Sequence, residues 1–179
     1  MAQTKTDNSF LADKVALRAG LLPKKKTLNV LDCYAGTGRI WDQVKKKTGR
    51  DIKVVSIDTD QKQDLVLLGD NEKWLEAIDV KGFDIIDLDA YGVPFDQLEI
   101  LFTKKYKGLV FITFIQTMFG ILPNGMLEYL GYTKAMIEKC PSLFCKRGRE
   151  KFFAYLKIKG IERVIVREHE RKHYLAFSM

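Results

Sequence analysis

The sequence predicts a doubly wound α/β domain, its sheet mostly parallel and closed by a C-terminal antiparallel hairpin. Three observations carry this. Near-continuous apolar runs at 28–33 and 108–115 have the composition of strands buried on both faces. Stretches with apolar residues at helical spacing alternate with them. Near the end of the chain, runs at 161–167 and 172–178 flank a polar turn, 168–171, as in a hairpin. A chain of 179 residues with 46% hydrophobic content suits one such domain with a core of its own.

Taken in order, the first strand, 28–33, feeds a glycine-containing turn. Ile40, Trp41 and Val44 then predict a helix over 39–47 whose amino end points back over that turn. A second strand, 53–57, ends at Asp58. A short third strand, 64–68, precedes Gly69, Asp70 and Asn71, which are turn and cap residues for a helix carrying Trp74, Leu75 and Ile78. The fourth strand is 83–88, a helix follows over 98–102, and the strongly apolar 108–115 is a fifth strand in the sheet centre. Beyond it, Gly120, Pro123, Gly125 and Gly131 divide an apolar, partly helical cover, and another helix spans 149–157. The expected organisation is a single domain over 1–179, with 1–27 an N-terminal cover segment and 116–158 a helical insertion.

Composition narrows the class. No apolar run approaches the length of a membrane span, and residues 1–8 are polar, unlike a signal peptide. Cys33, Cys140 and Cys145 are an odd count without a secreted framework's spacing, so reduced thiols and a cytoplasmic location are expected, with packing rather than metal ligation at Cys140 and Cys145. His169 and His173 lie four apart in the hairpin without a further ligand nearby, and read as solvated; no metal is expected. No Ser/His/Asp or Cys/His nucleophile arrangement is evident. The balance of 30 Lys and Arg against 23 Asp and Glu, net +7, favours encounter with phosphates or an anionic surface. The lysine runs 24–26 and 45–47 read as solvated faces.

Two segments carry chemistry. Residues 32–38 read DCYAGTG, in which Gly36 and Gly38 let the backbone turn close to a ligand while the next helix offers free N–H groups and its positive end. A nucleoside-type ligand suits Asp32, Tyr34, Ala35, Gly36, Thr37 and Gly38. The third glycine of a dinucleotide fingerprint would fall at Trp41, which disfavours close pyrophosphate packing. Asp58, ending the second strand, is placed to accept from ribose hydroxyls; the alternative is a solvated loop acid. Asp70 has two readings, a partner for an adenine amino group or a helix N-cap. Residues 84–94 read DIIDLDAYGVP, an apolar strand ending in acids, an aromatic and turn residues, which is how an active-site floor reads. Asp89 is there a candidate hydrogen-bond acceptor and Tyr91 a candidate ring for stacking on a ligand.

The set of Asp32, Gly36, Gly38, Asp58, Asp70 and the fourth-strand acids resembles class I S-adenosylmethionine-dependent methyltransferases across essentially the whole chain. A closing antiparallel hairpin is the usual ending of that sheet. The resemblance implies a Rossmann-like class I methyltransferase sheet and S-adenosylmethionine as cofactor. It would be held by the 32–38 turn, Asp58 and Asp70, with Asp87 either toward its methionine end, holding the loop, or a structural acid. Within the group, 83–94 is similar to the tRNA guanine N2-dimethyltransferase family, whose motif runs D-x-D-P-F-G-[ST]-P, and to the broader D-P-P-Y signature of amino-methyltransferases. Asp89 falls on the motif acid, Ala90 on its proline, Tyr91 on its phenylalanine, and Gly92 and Pro94 on its glycine and final proline. Ala90 and Val93 depart from the pattern, which leaves the exact base open. The family's appended substrate-binding domain has no counterpart here, which leaves room for a protein partner that supplies substrate recognition.

The resemblance thus implies a methyltransferase acting on an exocyclic amine of a nucleic-acid base, with RNA guanine favoured over DNA adenine or cytosine. Asp89 and Tyr91 would be catalytic, with Gly92 and Pro94 on the substrate side. Phe10 reads as a lid or base contact, or as core packing. Arg147 and Arg149, with Lys151, follow the helical insertion and are candidate phosphate contacts. The competing readings are a methyltransferase of a small molecule or protein, and a non-catalytic nucleic-acid-binding subunit with the same fold.

Overall fold

The computed structural model describes residues 10–60, 66–115, 122–170 and 172–179. Among them the strands are β1 (Thr27–Asp32), β2 (Asp51–Asp58), β3 (Leu67–Leu68), β4 (Ile85–Leu88), β5 (Leu109–Ile115), β6 (Ile165–Glu168) and β7 (Lys172–Ser178). They form one sheet in the order β3-β2-β1-β4-β5-β7-β6. Pairing is parallel from β3 through β5 and antiparallel where β7 joins β5 and β6. The helices are α1 (Leu11–Gly20), α2 (Arg39–Thr48), α3 (Asn71–Ala77), α4 (Phe95–Thr103), α5 (Asn124–Tyr129), α6 (Lys134–Lys139) and α7 (Gly148–Ile158).

Strand alternation divides the core into two layers. Leu28, Val30, Ile85, Phe111, Tyr174 and Ala176 point to one face, against Val15 and Leu17 of α1 and Trp41 and Val44 of α2. Leu31, Ile86, Leu88, Ile112, Leu175 and Phe177 point to the other, against Leu75, Leu98, Phe152 and Tyr155 of α3, α4 and α7. Apolar residues on both faces explain why these strands read as unbroken runs. The chain goes from β1 outward to β2 and β3, then returns to β4 on the other side of β1. That reversal opens a crevice at the carboxyl ends of β1 and β4, where open α/β sheets take their ligands.

The elements depart from the expected ones at some points and agree at others. The described part of the cover segment, from residue 10 onward, is largely the helix α1, which packs one face on α2 and on β7. Residues 1–9 lie outside the described residues, as do 116–121 of the helical cover. The third strand is two residues long among those described, and 64 and 65 fall outside them. The expected strand 161–167 is a ladder only from Ile165, although Ile161 is buried in the core. The divided helical cover expected around 126–137 is present as two helices, α5 and α6, with Gly131 between them. Cys140 is exposed rather than packed, and the side chain of Cys145 is outside the described set. Cys33 is buried, and burial together with Asp32 pushes its thiol pKa well up. The hairpin histidines are partly buried. His169 stacks on Phe10 at 3.9 Å between ring centroids, and His173 packs beside Phe114. No helix among the described residues is long and apolar enough to cross a membrane.

Candidate active site

The turn after β1 is tied down on both sides. The Cys33 N–H donates to the Asp87 carbonyl, and the Ala35 N–H to the Ile57 carbonyl. Gly36 and Gly38 adopt left-handed φ angles of 52° and 72°, a conformation that costs a residue with a β-carbon. Gly36 N–H donates to a carboxylate oxygen of Asp58 at 2.7 Å, and Asp60 N–H to the other at 3.0 Å. Asp58 therefore sits against the glycine turn with its orientation set by backbone donors.

A cavity of about 300 Å³ opens there. One wall is Tyr34, Ala35, Gly36, Thr37 and Asp58. The opposite wall is Asp89, Ala90, Tyr91 and Thr113, with Lys14 from α1. Asn71 also lines the cavity; it donates to the Cys33 carbonyl and accepts from Gln97. Burial raises the Tyr34 phenol to about 12, so it stays protonated at neutral pH as a donor.

Asp89 is well ordered by its partners. One carboxylate oxygen accepts from Lys14 Nζ at 2.7 Å and the other from the Thr113 hydroxyl. Tyr91 is 70% exposed at the mouth. Beneath them Asp87 is buried, 1% exposed, and does not line the cavity. It takes a bidentate pair from Arg18 Nε and Nη2, both at 2.6 Å, and a hydrogen bond from Trp41 Nε1 at 2.8 Å. Burial would lower the Arg18 pKa, but Asp87 reverses this and raises it. Asp32, paired in register with Asp87 across β1 and β4, is also buried and accepts from the Tyr34 N–H at 3.3 Å. Burial, reinforced by Asp87, raises its carboxyl pKa well above the ordinary value.

Of the residues singled out from sequence, Tyr34, Ala35, Gly36, Thr37, Asp58, Asp89 and Tyr91 share this cavity. Asp32 and Asp87 lie under it, and Gly38 serves as the N-cap of α2. Asp70 caps α3 by accepting from the Glu72 N–H, so the neighbouring Asn71 lines the cavity instead. Gly92, whose carbonyl accepts from the Ile115 N–H, and Pro94, the N-cap of α4, stand behind the wall. Phe10 is 50% exposed on its stack with His169, neither in the core nor at the cavity. Arg147 and Arg149 line a separate open cleft with Glu168 and His173, and Arg149 pairs with Glu168 at 2.6 Å. Sequence reasoning missed Lys14, Thr113 and Asn71 at the cavity and Arg18 beneath it. No local signal pointed to either cation: Lys14 and Asp89 are 75 positions apart in sequence, and Arg18 and Asp87 are 69 apart.

Among solved structures, this chain is similar to an S-adenosylmethionine-dependent methyltransferase from Archaeoglobus fulgidus, with a TM-score of 0.58 at 14% identity over 94% of this chain and 93% of that one. It is similar to the CurJ carbon methyltransferase, with a TM-score of 0.61 at 14% identity over 94% of this chain. It spans 55% of the CurJ chain. A precorrin-6y C5,15-methyltransferase from Geobacter metallireducens aligns over 100% of this chain and 92% of that one, with a TM-score of 0.54 at 10% identity. The chain has the class I methyltransferase fold. The sheet that gives the methyltransferase fold its shape, a parallel run closed by an antiparallel pair, is the one described above. Neither a protein-family model nor a curated protein matches the sequence.

Proposed function

We propose that this protein is an S-adenosylmethionine-dependent methyltransferase whose acceptor is an exocyclic amine of a nucleic-acid base, with RNA guanine favoured. The observation that carries this reading is that one cavity joins the glycine turn and Asp58 on one wall to Asp89 and Tyr91 on the other. The first wall fits a nucleoside-type cofactor. Asp58 offers a carboxylate fixed by backbone donors for ribose hydroxyls, and the left-handed turn leaves room for close backbone approach. Tyr34 and Asn71 border the same half and would hold its base. When bound, the cofactor supplies an electrophilic methyl group.

The protein's own part is alignment and a dry acceptor site. Asp89, held through both oxygens, accepts from an amine N–H and so orients the nitrogen lone pair. Tyr91, exposed at the mouth, offers a ring face for the base. The fold is shared with a carbon methyltransferase and a precorrin methyltransferase, so the choice of acceptor rests on these residues and on the net charge of +7.

Calorimetry with S-adenosylmethionine, followed by incubation with labelled cofactor and bulk tRNA, rRNA or DNA, tests this. The expected result is cofactor binding and label in RNA, recovered as a methylated guanosine. Transfer only to a small amine or a protein would reject the nucleic-acid acceptor. Absence of cofactor binding would reject the enzyme.

A further inference from the structure

Lys14 has no part in that reading, although it reaches the cavity. α1 presents Lys14 and Arg18 one turn apart on a single face, and β4 with its extension presents Asp87 and Asp89 on a single face two residues apart. The two sets pair in order. Arg18 meets Asp87 in the core, and Lys14 meets Asp89 at the cavity wall.

The outer pair differs from the inner one because a ligand can touch it. Lys14 and Asp89 side chains are 9% and 8% exposed, and that exposure faces the cavity. The Lys14 ammonium also lies 5.3 Å from the Tyr174 ring centroid, a cation–π contact that fixes the stem. A carboxylate has about four lone-pair positions, so with Lys14 and Thr113 bound to Asp89 about two remain for a ligand. The pair as a whole carries no net charge. An unaccompanied carboxylate would draw in alkylammonium groups; the neutralised one accepts an N–H from a neutral amine, while an ammonium there meets Lys14 as a like charge.

We infer that Lys14 is a positioning residue that fixes Asp89 and makes the acceptor site selective for a neutral, planar amine over an alkylammonium. The inference rests on the methyltransferase reading and names what discriminates its acceptor.

The test compares wild-type protein with Lys14→Met, Lys14→Gln and Lys14→Arg. Methyl transfer to unmodified tRNA transcripts and to a lysine-containing peptide is followed as kcat and KM, with cofactor affinity and thermal melting as controls. In wild type, RNA is the better acceptor. Lys14→Met and Lys14→Gln keep cofactor affinity, lose kcat on RNA more than KM changes, and move the RNA-to-peptide ratio of kcat/KM by about tenfold or more toward the peptide. Lys14→Arg restores the wild-type ratio. An unchanged ratio in a folded Met or Gln variant overturns the inference, as does a wild-type preference for the peptide. Failure of wild type to bind cofactor instead overturns the methyltransferase reading, and binding without transfer to either acceptor overturns the amine assignment together with this inference.

Discussion

Asp32 and Asp87 are neighbours in adjacent strands, and the guanidinium of Arg18 hydrogen-bonds Asp87. For Asp32, burial and the like charge of Asp87 outweigh Arg18 and the Tyr34 N–H, and raise its carboxyl pKa well above the ordinary 3.8. Unfolded Asp32 releases its proton near that ordinary value, whereas folded Asp32 retains it to higher pH. Stability from this group is therefore greatest at low pH and declines as pH rises from about 4 toward the folded value. Asp32→Asn removes the decline. The melting temperature of Asp32→Asn minus that of wild type is expected to increase between pH 4.5 and 8, and calorimetry across that range would show a flat difference if the account is wrong. Asp89 yields a different prediction because it faces the cavity. Asp89→Ala should lower methyl transfer by about 10²-fold or more while cofactor affinity measured by calorimetry is retained.

At the scale of elements, α1 is held to the sheet through polar as well as apolar contacts. Val15 and Leu17 fill the layer shared with Trp41 and Phe111, and Arg18 crosses that layer to reach Asp87. The Arg18 guanidinium also lies 5.3 Å from the Phe111 ring centroid. Arg18→Met leaves a buried carboxylate without its cation, and denaturant unfolding should show a loss of about 3–5 kcal/mol. Arg18→Met with Asp87→Asn removes the stranded charge and keeps an acceptor for Trp41 Nε1, so the double variant should recover most of the loss. A double variant no more stable than Arg18→Met alone would contradict this. On the other face, Glu99 of α4 plays the organising part. It accepts from Tyr129 of α5, Tyr155 of α7 and Lys159 just after α7, whose ammonium lies 3.8 Å from the Tyr129 ring centroid. Burial and Glu99 raise the Tyr155 phenol pKa, so it remains a donor.

For the molecule as a whole, the net charge of +7 has a consequence that a mutation at one site does not remove. If the acceptor is RNA, affinity for it should fall linearly in log–log form with salt, each neutralised phosphate contributing a slope of about −0.7 on single strands. Cofactor affinity should change much less over the same range, since the cofactor carries no run of phosphates to release counterions. Filter binding and calorimetry from low to moderate salt would measure both. Equal salt dependence of the two ligands would argue against the charge as an RNA-steering feature.

Much of the architecture was legible because its causes are local. Apolar runs buried on both faces mark β1, β4 and β5, helical spacing of Ile40, Trp41 and Val44 marks α2, and two glycines mark the turn between β1 and α2. Those signals travel with the residues themselves, so the strand-and-helix order and the acids at strand ends were determined by the sequence. Which acid meets a ligand was not. Asp87 and Asp89 point the same way by strand alternation, yet α1 and α2 cover Asp87, while Asp89 lies one residue beyond the end of β4, at the open crevice. Asp70 turned to cap its own helix, which handed its place at the cavity to Asn71. Lys14 reaches Asp89 across 75 positions of sequence, a contact that no spacing within α1 announces. Coverage and pairing of this kind depend on how distant segments pack, and only the tertiary structure decided them.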